Sequence, residues 1–152
     1  MKLDLKNKIP PPIVTLVFAA LIYLSADLLP HLMFEGQTFL SSIIAIFGLI
    51  ILLLAVKAFV QFKTTINPLK PETTSVLVKS GIFKLSRNPM YLGMLLLIIG
   101  LWVKTGAVSG FILVPSFVAY LNYFQILPEE RAMKGLFSDK YKTYCQQVRR
   151  WL

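Results

Sequence analysis

Histidine and cysteine are nearly absent from this sequence: His31 and Cys145 are the only ones in 152 residues. A single cysteine excludes an intrachain disulfide and a cysteine-based metal site. A single histidine, beside Pro30 in a connecting stretch, argues against a histidine-rich metal centre and a serine–histidine–aspartate relay. His31 is read as a loop residue, and no metal site is expected. Acidic residues are scarce as well, seven against sixteen basic, for a net charge of +9. Such an excess can serve nucleic acid, but here the basic residues are scattered between apolar runs. With no helix-turn-helix, zinc-knuckle or RNA-stacking pattern, no nucleic-acid partner is expected. A basic surface facing anionic lipid accounts for the charge. Charged residues of both signs reach only 15%, against roughly 25% in ordinary globular chains.

What the chain has in abundance is apolar length. Hydrophobic residues make up 56% and the mean hydropathy is +0.68, in runs too long for the helices of a soluble core. The expectation is an all-α integral membrane protein with about four transmembrane helices, a C-terminal helical hairpin and amphipathic cytoplasmic tail helices. The polar arm before the first span carries Lys2, Lys6 and Lys8 and ends in Pro10-Pro11-Pro12, which should hold the chain extended and stop an early helix. Ile13 to Leu29 is the first span, expected to be retained because no small-residue cleavage site follows. Phe39 to Phe62 is the second, with Lys57 placed to snorkel. Helix breakers at Asn67-Pro68 and Lys70-Pro71 mark the long polar stretch from Lys63 to Ser86. A third span runs from about Asn88 to Val103, Lys104-Thr105-Gly106 turns the chain, and Ala107 to Leu127 forms the fourth, kinked at Pro115. Pro128 should open a new helix with Glu129 and Glu130 in its first turn. In the tail, Leu136, Phe137, Tyr141, Tyr144 and Val148 recur at three- and four-residue steps, which suits a helix on the membrane or folded over the bundle.

Lysine and arginine number three in the N-terminal arm, five from Lys63 to Arg87 and six in the tail, while the two opposite connections hold only Lys104. Both termini and the central loop therefore belong in the cytoplasm, in the cytoplasmic or inner membrane. The organisation expected is an arm with two transmembrane helices over residues 1–62 and a core over 63–152.

Polar groups gather at the cytoplasmic ends of spans in two places, Gly81 to Gly93 and Asn122 to Arg131. On a continuous helix Asn122, Gln125 and Glu129 share a face. The hairpin of spans three and four sets Arg87, Asn88 and Tyr91 beside Gln125, Glu129 and Glu130. Each residue also has a plain structural reading. Arg87 can anchor a helix end on lipid phosphate, Tyr91 can belong to an interfacial belt, and the two glutamates can answer a helix dipole. Gly93, with Gly100, can serve close helix packing. Their convergence at one depth favours function.

The run Leu77-Val78-Lys79-Ser80-Gly81-Ile82-Phe83, followed by Ser86-Arg87-Asn88-Pro89-Met90-Tyr91-Leu92-Gly93, resembles the signature of the isoprenylcysteine carboxyl methyltransferase and phospholipid methyltransferase superfamily. A second block, Pro128-Glu129-Glu130 with Phe137, Tyr141, Tyr144, Val148 and Arg150-Trp151, is similar too, and Thr64-Thr65-Ile66-Asn67-Pro68 resembles bacterial members. The likeness covers about Thr64 to Trp151 and leaves the first two spans without a signature. It implies a membrane methyltransferase that uses S-adenosylmethionine, with a lipophilic acceptor entering from the bilayer. In this superfamily the two blocks enclose the cofactor and the tail helices cover it. Carried over, Arg87, Asn88, Pro89, Tyr91, Gly93, Glu129 and Glu130 are cofactor-site candidates, and Arg87 and Glu129 are the catalytic candidates. Asn122 and Gln125 are candidates on the acceptor side.

Two departures narrow the implication. Many members have histidine where this chain has Asn88, so a histidine base is excluded there. In the prenylcysteine branch an arginine one turn before the acidic pair helps handle the substrate carboxylate; Gln125 stands in that place. The chemistry itself asks little acid–base machinery of the chain, because a sulfonium donor is already activated and methyl transfer needs chiefly in-line positioning. A carboxylate such as Glu129 can hold ribose hydroxyls or the donor's amino group, an aromatic face such as Tyr91 can attract the sulfonium, and Arg87 can pair with a carboxylate or an anionic head group. Two other readings stand beside this one: an NADPH-dependent membrane reductase of related fold, although no pyrophosphate-binding fingerprint is found, and a small non-enzymatic membrane scaffold.

Overall fold

The computed structural model describes residues 9–28, 30–62 and 76–152. In these lie α1 (Pro11–Ala26), α2 (Gln37–Gln61), α3 (Pro89–Thr105), α4 (Gly110–Tyr120) and α5 (Leu127–Gln147), with a 3-10 turn at Gly81–Lys84 and a π-helical segment at Leu121–Ile126. The described residues form no strand, only a lone backbone bridge between His31 and Ala107. The lysines of the N-terminal arm, Leu29 at the close of the first expected span, Thr64-Thr65-Ile66-Asn67-Pro68 and Lys70-Pro71 lie outside the described residues.

The helices alternate in direction. At one end, called here the Arg87 end, Gln125 donates to the Ile9 carbonyl just before α1, and Phe59 near the end of α2 packs edge-on to Phe83. At the other, the Gly106 end, Ser25 at the close of α1 meets Ser109 at the start of α4, and Gln37 at the start of α2 donates to the carbonyls of Val103 and Lys104. Thus α1 and α3 run from the Arg87 end to the Gly106 end, and α2 and α4 return.

At the centre stands α3, with no large apolar side chain exposed, whereas α1, α2 and α4 turn Leu16, Phe39, Phe47, Leu53 and Ile112 outward. A soluble bundle would carry polar side chains on those outer faces. Gln37–Gln61 and the helical run Gly110–Gln147, which kinks at Ser138, are each long and apolar enough to cross a membrane; α1 and α3 are apolar but shorter. Small residues let α2 and α3 touch backbone to backbone. A Cβ on Gly93 would come within 2.8 Å of the Gly48 carbonyl oxygen, one on Gly48 within 2.9 Å of the Gly93 carbonyl oxygen, and Gly100 lies against Ala45 and Ser41. Ser41, Ala45, Gly48 and Ala55 thus form a stripe at steps of three, four and seven along α2. The 1–62 and 63–152 division falls outside the described residues, and the helices pack across it.

Two expectations about helix boundaries are corrected. The proline run does not hold off α1. Pro11 and Pro12 form its first turn, where a missing N–H costs nothing and a fixed φ is already helical. Pro128 stands in the first turn of α5 with Glu129 and Glu130, but it does not open a separate helix either, because the chain is already helical from Gly110 through the π-helical segment into α5. The π-helical segment Leu121–Ile126 just precedes it, and its wider turn leaves room for a proline ring that would otherwise strike the carbonyl four residues back. Glu129 and Glu130 therefore do not sit at a free helix N-terminus, and the dipole account of them loses its basis. The tail comprises two helices, in line with the tail helices expected. Ser138, at φ 42° and ψ −116°, breaks its direction, and beyond Gln147 the chain is extended. Tyr141, Tyr144 and Val148 are buried with Leu77 and Phe137, so this part folds over the bundle end, while Leu136 points outward.

Candidate active site

The loop that carries the first polar block is pinned before it reaches α3. Gly81 turns the chain at φ 60°, and Phe83 inserts between Ala55, Val78 and Phe59. Tyr144 of the tail donates its hydroxyl to the Phe83 carbonyl at 2.6 Å. Ser86, fully buried, accepts the Asn88 N–H at 3.1 Å and closes a short turn. Pro89 then begins α3, buried at a first position that needs no donor.

From this pinned loop two contacts reach across to α5. The Tyr91 hydroxyl donates to Glu129 Oε1. Arg87 places one guanidinium nitrogen 3.2 Å from Glu130 Oε1, and the other terminal nitrogen donates to Cys145 Sγ. Adjacent glutamates thus take different partners, Glu129 a phenol and Glu130 a cation. The hairpin brings together Arg87, Tyr91, Glu129 and Glu130, which are about forty residues apart in sequence.

Three residues absent from the sequence-derived site complete the cluster. Arg150 grips Glu130 with both arms of its fork, Nε to Oε1 at 3.0 Å and a terminal nitrogen to Oε2 at 2.8 Å, a charge-assisted bidentate pair. These hydrogen bonds hold the Arg150 guanidinium above its ordinary pKa. The carbonyl of Arg150 in turn accepts from Asn88 Nδ2 at 2.9 Å and from Ser86 Oγ at 3.3 Å, and the Arg87 N–H donates to the Arg149 carbonyl at 3.0 Å. Cys145 is the third, as the acceptor for Arg87. No periodic relation links Glu130 to Arg150, since the break at Ser138 intervenes. The signal that was available is the Arg150-Trp151 pair in the second sequence block.

The other candidates sit at the same end but face different neighbours. Asn88 spends its amide on the Arg150 carbonyl. Gly93 lies one turn deeper, against Gly48 and Leu52 on α2. Asn122 accepts from the Trp151 indole at 3.2 Å. Gln125, fully buried, ties the π-helical segment to the Ile9 carbonyl at 2.8 Å, leaving its own Oε1 without a hydrogen-bond partner. No group of three or more histidine, cysteine, aspartate or glutamate side chains suited to a metal occurs among the described residues.

Chemically, the cluster offers two guanidinium groups around one carboxylate, a second carboxylate held by a phenol, and a buried Arg87 Nε–H with no acceptor. A zwitterionic ligand suits that set. Its anionic group can pair with Arg87, and its cationic group can approach Glu129.

The model of the phospholipid methyltransferase family matches residues 37–140, from the start of α2 into α5, and so contains Arg87, Tyr91, Glu129 and Glu130. A protein of Haemophilus influenzae of uncharacterized function is 38% identical over 63 residues, 41% of this chain and the whole of that protein. No solved structure matches the chain. With more than half of its length matched, and with the first block and the Pro128-Glu129-Glu130 start of the second inside the match, the chain belongs to the phospholipid methyltransferase family, within the isoprenylcysteine carboxyl and phospholipid methyltransferase superfamily.

Proposed function

We propose that the protein is a membrane-embedded methyltransferase that takes its methyl group from S-adenosylmethionine and passes it to a lipophilic acceptor at the cytoplasmic leaflet. The observation that carries this reading is the meeting of Arg87 with Glu130 and of Tyr91 with Glu129, two blocks of the matched family region joined at one end of the bundle. The sulfonium supplies an activated methyl group, so the chain has only to bind, orient and exclude water. Arg87 holds the anionic end of the donor, Glu129 its amino group or ribose hydroxyls, and Tyr91 orients Glu129. The tail from Tyr141 to Trp151 covers this end and keeps water out.

The four-span arrangement belongs to the same proposal. Its support is the outward apolar surface of α1, α2 and α4. By rise per residue α3 is about 25 Å long, a few ångströms short of a ~30 Å hydrocarbon core, a mismatch that local thinning of the bilayer absorbs. The basic excess of the arm, central loop and tail supports a cytoplasmic Arg87 end. Acceptor chemistry follows from Gln125. With an amide tied to Ile9 where the prenylcysteine branch has an arginine, a carboxylate acceptor is disfavoured relative to a lipid amine or another uncharged nucleophile.

The test is calorimetry with S-adenosylmethionine on the detergent-solubilised full chain, paired with radiolabelled methyl transfer into a lipid extract of the native membrane. Binding that is lost in Glu129→Ala and weakened in Tyr91→Phe is expected, as is loss of methyl transfer in Arg87→Ala and Glu129→Gln. Near wild-type turnover in either of the last two variants removes the site assignment, and binding of NADPH in place of the sulfonium compound removes the methyltransferase reading.

A further inference from the structure

Glu130 has two carboxylate oxygens and two arginines compete for them. Arg150 occupies both, at 3.0 and 2.8 Å, in a fork-on-fork geometry, whereas Arg87 reaches only Oε1, with one nitrogen at 3.2 Å. The remaining Arg87 donors are poorly used. One terminal nitrogen faces the Cys145 sulfur, a weak acceptor. The Nε–H is buried with no acceptor at all. Glu130 is 7% exposed and the Arg87 side chain 14%, while the Arg150 side chain is 35% exposed, so one buried carboxylate is shared between a buried guanidinium and one that reaches water. A buried donor without an acceptor and a buried cation that must share its counter-ion are both unfavourable, and an anion at Arg87 would relieve the two penalties together.

We propose that Arg150 is a positioning residue: by saturating Glu130 it prevents Arg87 from closing its own fork on that carboxylate, and so keeps Arg87 available for the carboxylate of the methyl donor. The inference rests on the methyltransferase reading and deepens it. Placement of Arg150 is registered by the same loop that carries Arg87. The Arg150 carbonyl is held by Asn88 and Ser86, and the Arg149 carbonyl by the Arg87 N–H. Without the Arg150 fork, Glu130 Oε2 is open and Arg87 turns onto Glu130 in a bidentate pair. A lysine at this position keeps the charge but offers no planar fork, so it only partly restrains Glu130.

The experiment compares S-adenosylmethionine with its decarboxylated analogue by calorimetry on the detergent-solubilised full chain, with thermal unfolding as a check on fold. Wild type should bind S-adenosylmethionine about tenfold or more tighter than the analogue, the order expected for one charge-assisted contact. In Arg150→Ala that preference should fall to roughly twofold, because only binding of the carboxylate-bearing compound suffers, and Arg150→Lys should lie between. Equal loss of both compounds in Arg150→Lys, which retains the charge, shows a merely structural role and overturns the proposal; so does an undiminished preference in either variant. Wild type that binds both compounds equally overturns this inference alone, while wild type that binds neither overturns the methyltransferase reading and this inference with it.

Discussion

At the Gly106 end, Gln37 caps the carbonyls of Val103 and Lys104, Leu32 donates to the Gly106 carbonyl at 2.8 Å, and the Ser25 and Ser109 hydroxyls meet at 2.6 Å. At the Arg87 end, α3 and α5 are joined by two arginines, two glutamates and a buried phenol. Both ends solve the same mechanical problem, which is to hold neighbouring helices at a turn or crossing. The first does so with neutral groups, most of them satisfying the orphan carbonyls that any helix C-terminus presents. The fold therefore shows within itself that a bundle end can be closed without charge. The ionic cluster exceeds what closure requires, and Arg87 Nε and Gln125 Oε1 remain without partners even so. That surplus is what the proposed site accounts for and a joint alone does not.

The comparison can be broken most decisively by showing that both ends face one compartment. In a Cys145→Ala background, the labels on Phe34→Cys and Thr105→Cys should react with a membrane-impermeant maleimide only from outside the cell, and Lys84→Cys only after permeabilisation. An all-or-none pattern is expected, and a cytoplasmic label at position 34 or 105 contradicts the four-span arrangement. Next in size is the loss of the shared carboxylate. Glu130→Ala leaves Arg87 and Arg150 facing each other, and the cost should be about 3 kcal/mol, somewhat less where Arg150 can turn to water. Thermal unfolding and tail proteolysis in detergent check this, and a tail no more accessible than in wild type would show that Glu130 does not hold it. At the neutral end, Gln37→Ala removes hydrogen bonds to Val103, Lys104 and the Phe34 N–H. It should cost about 1–2 kcal/mol with turnover unchanged.

The sequence made the helical class, the hairpin and the pairing of the two polar blocks legible, because apolar runs and a tight turn at Lys104-Thr105-Gly106 fix which residues must come to one end. Arg87 meeting Glu130, and Tyr91 meeting Glu129, are consequences of that hairpin alone. Legibility ended where the contacts had no period. Arg150 reaches Glu130 only because the helix breaks at Ser138 and the chain doubles back, and no spacing rule carries across a residue with positive φ. Gln125 faces Ile9 because the π-helical segment alters the helical register that would have aligned it with Glu129. The seam of Ser41, Ala45 and Gly48 against Gly93 and Gly100 was half visible. The glycines of α3 were noted, but small residues on α2 are diluted by the leucines and isoleucines around them.

The smallest effect gives the finest comparison, since one hydroxyl can be deleted at each end. Ser25 donates to the Ile22 carbonyl of its own helix and meets Ser109 across the bundle. After Ser25→Ala, Ser109 is only partly buried and water can replace its partner, so the loss should be about 0.5–1 kcal/mol, with methyl transfer intact. Tyr91→Phe removes a hydroxyl of the same kind, but the partner left behind is a carboxylate, and Glu129 then has no phenol to hold its orientation. Its thermal shift should be only modestly larger than that of Ser25→Ala, yet its affinity for S-adenosylmethionine should fall well beyond what the shift accounts for. A plot of affinity against unfolding temperature for the two variants separates the cases. If both fall on one line, the Arg87 end is a joint like the other; if Tyr91→Phe falls far below it, the hydroxyl serves the ligand.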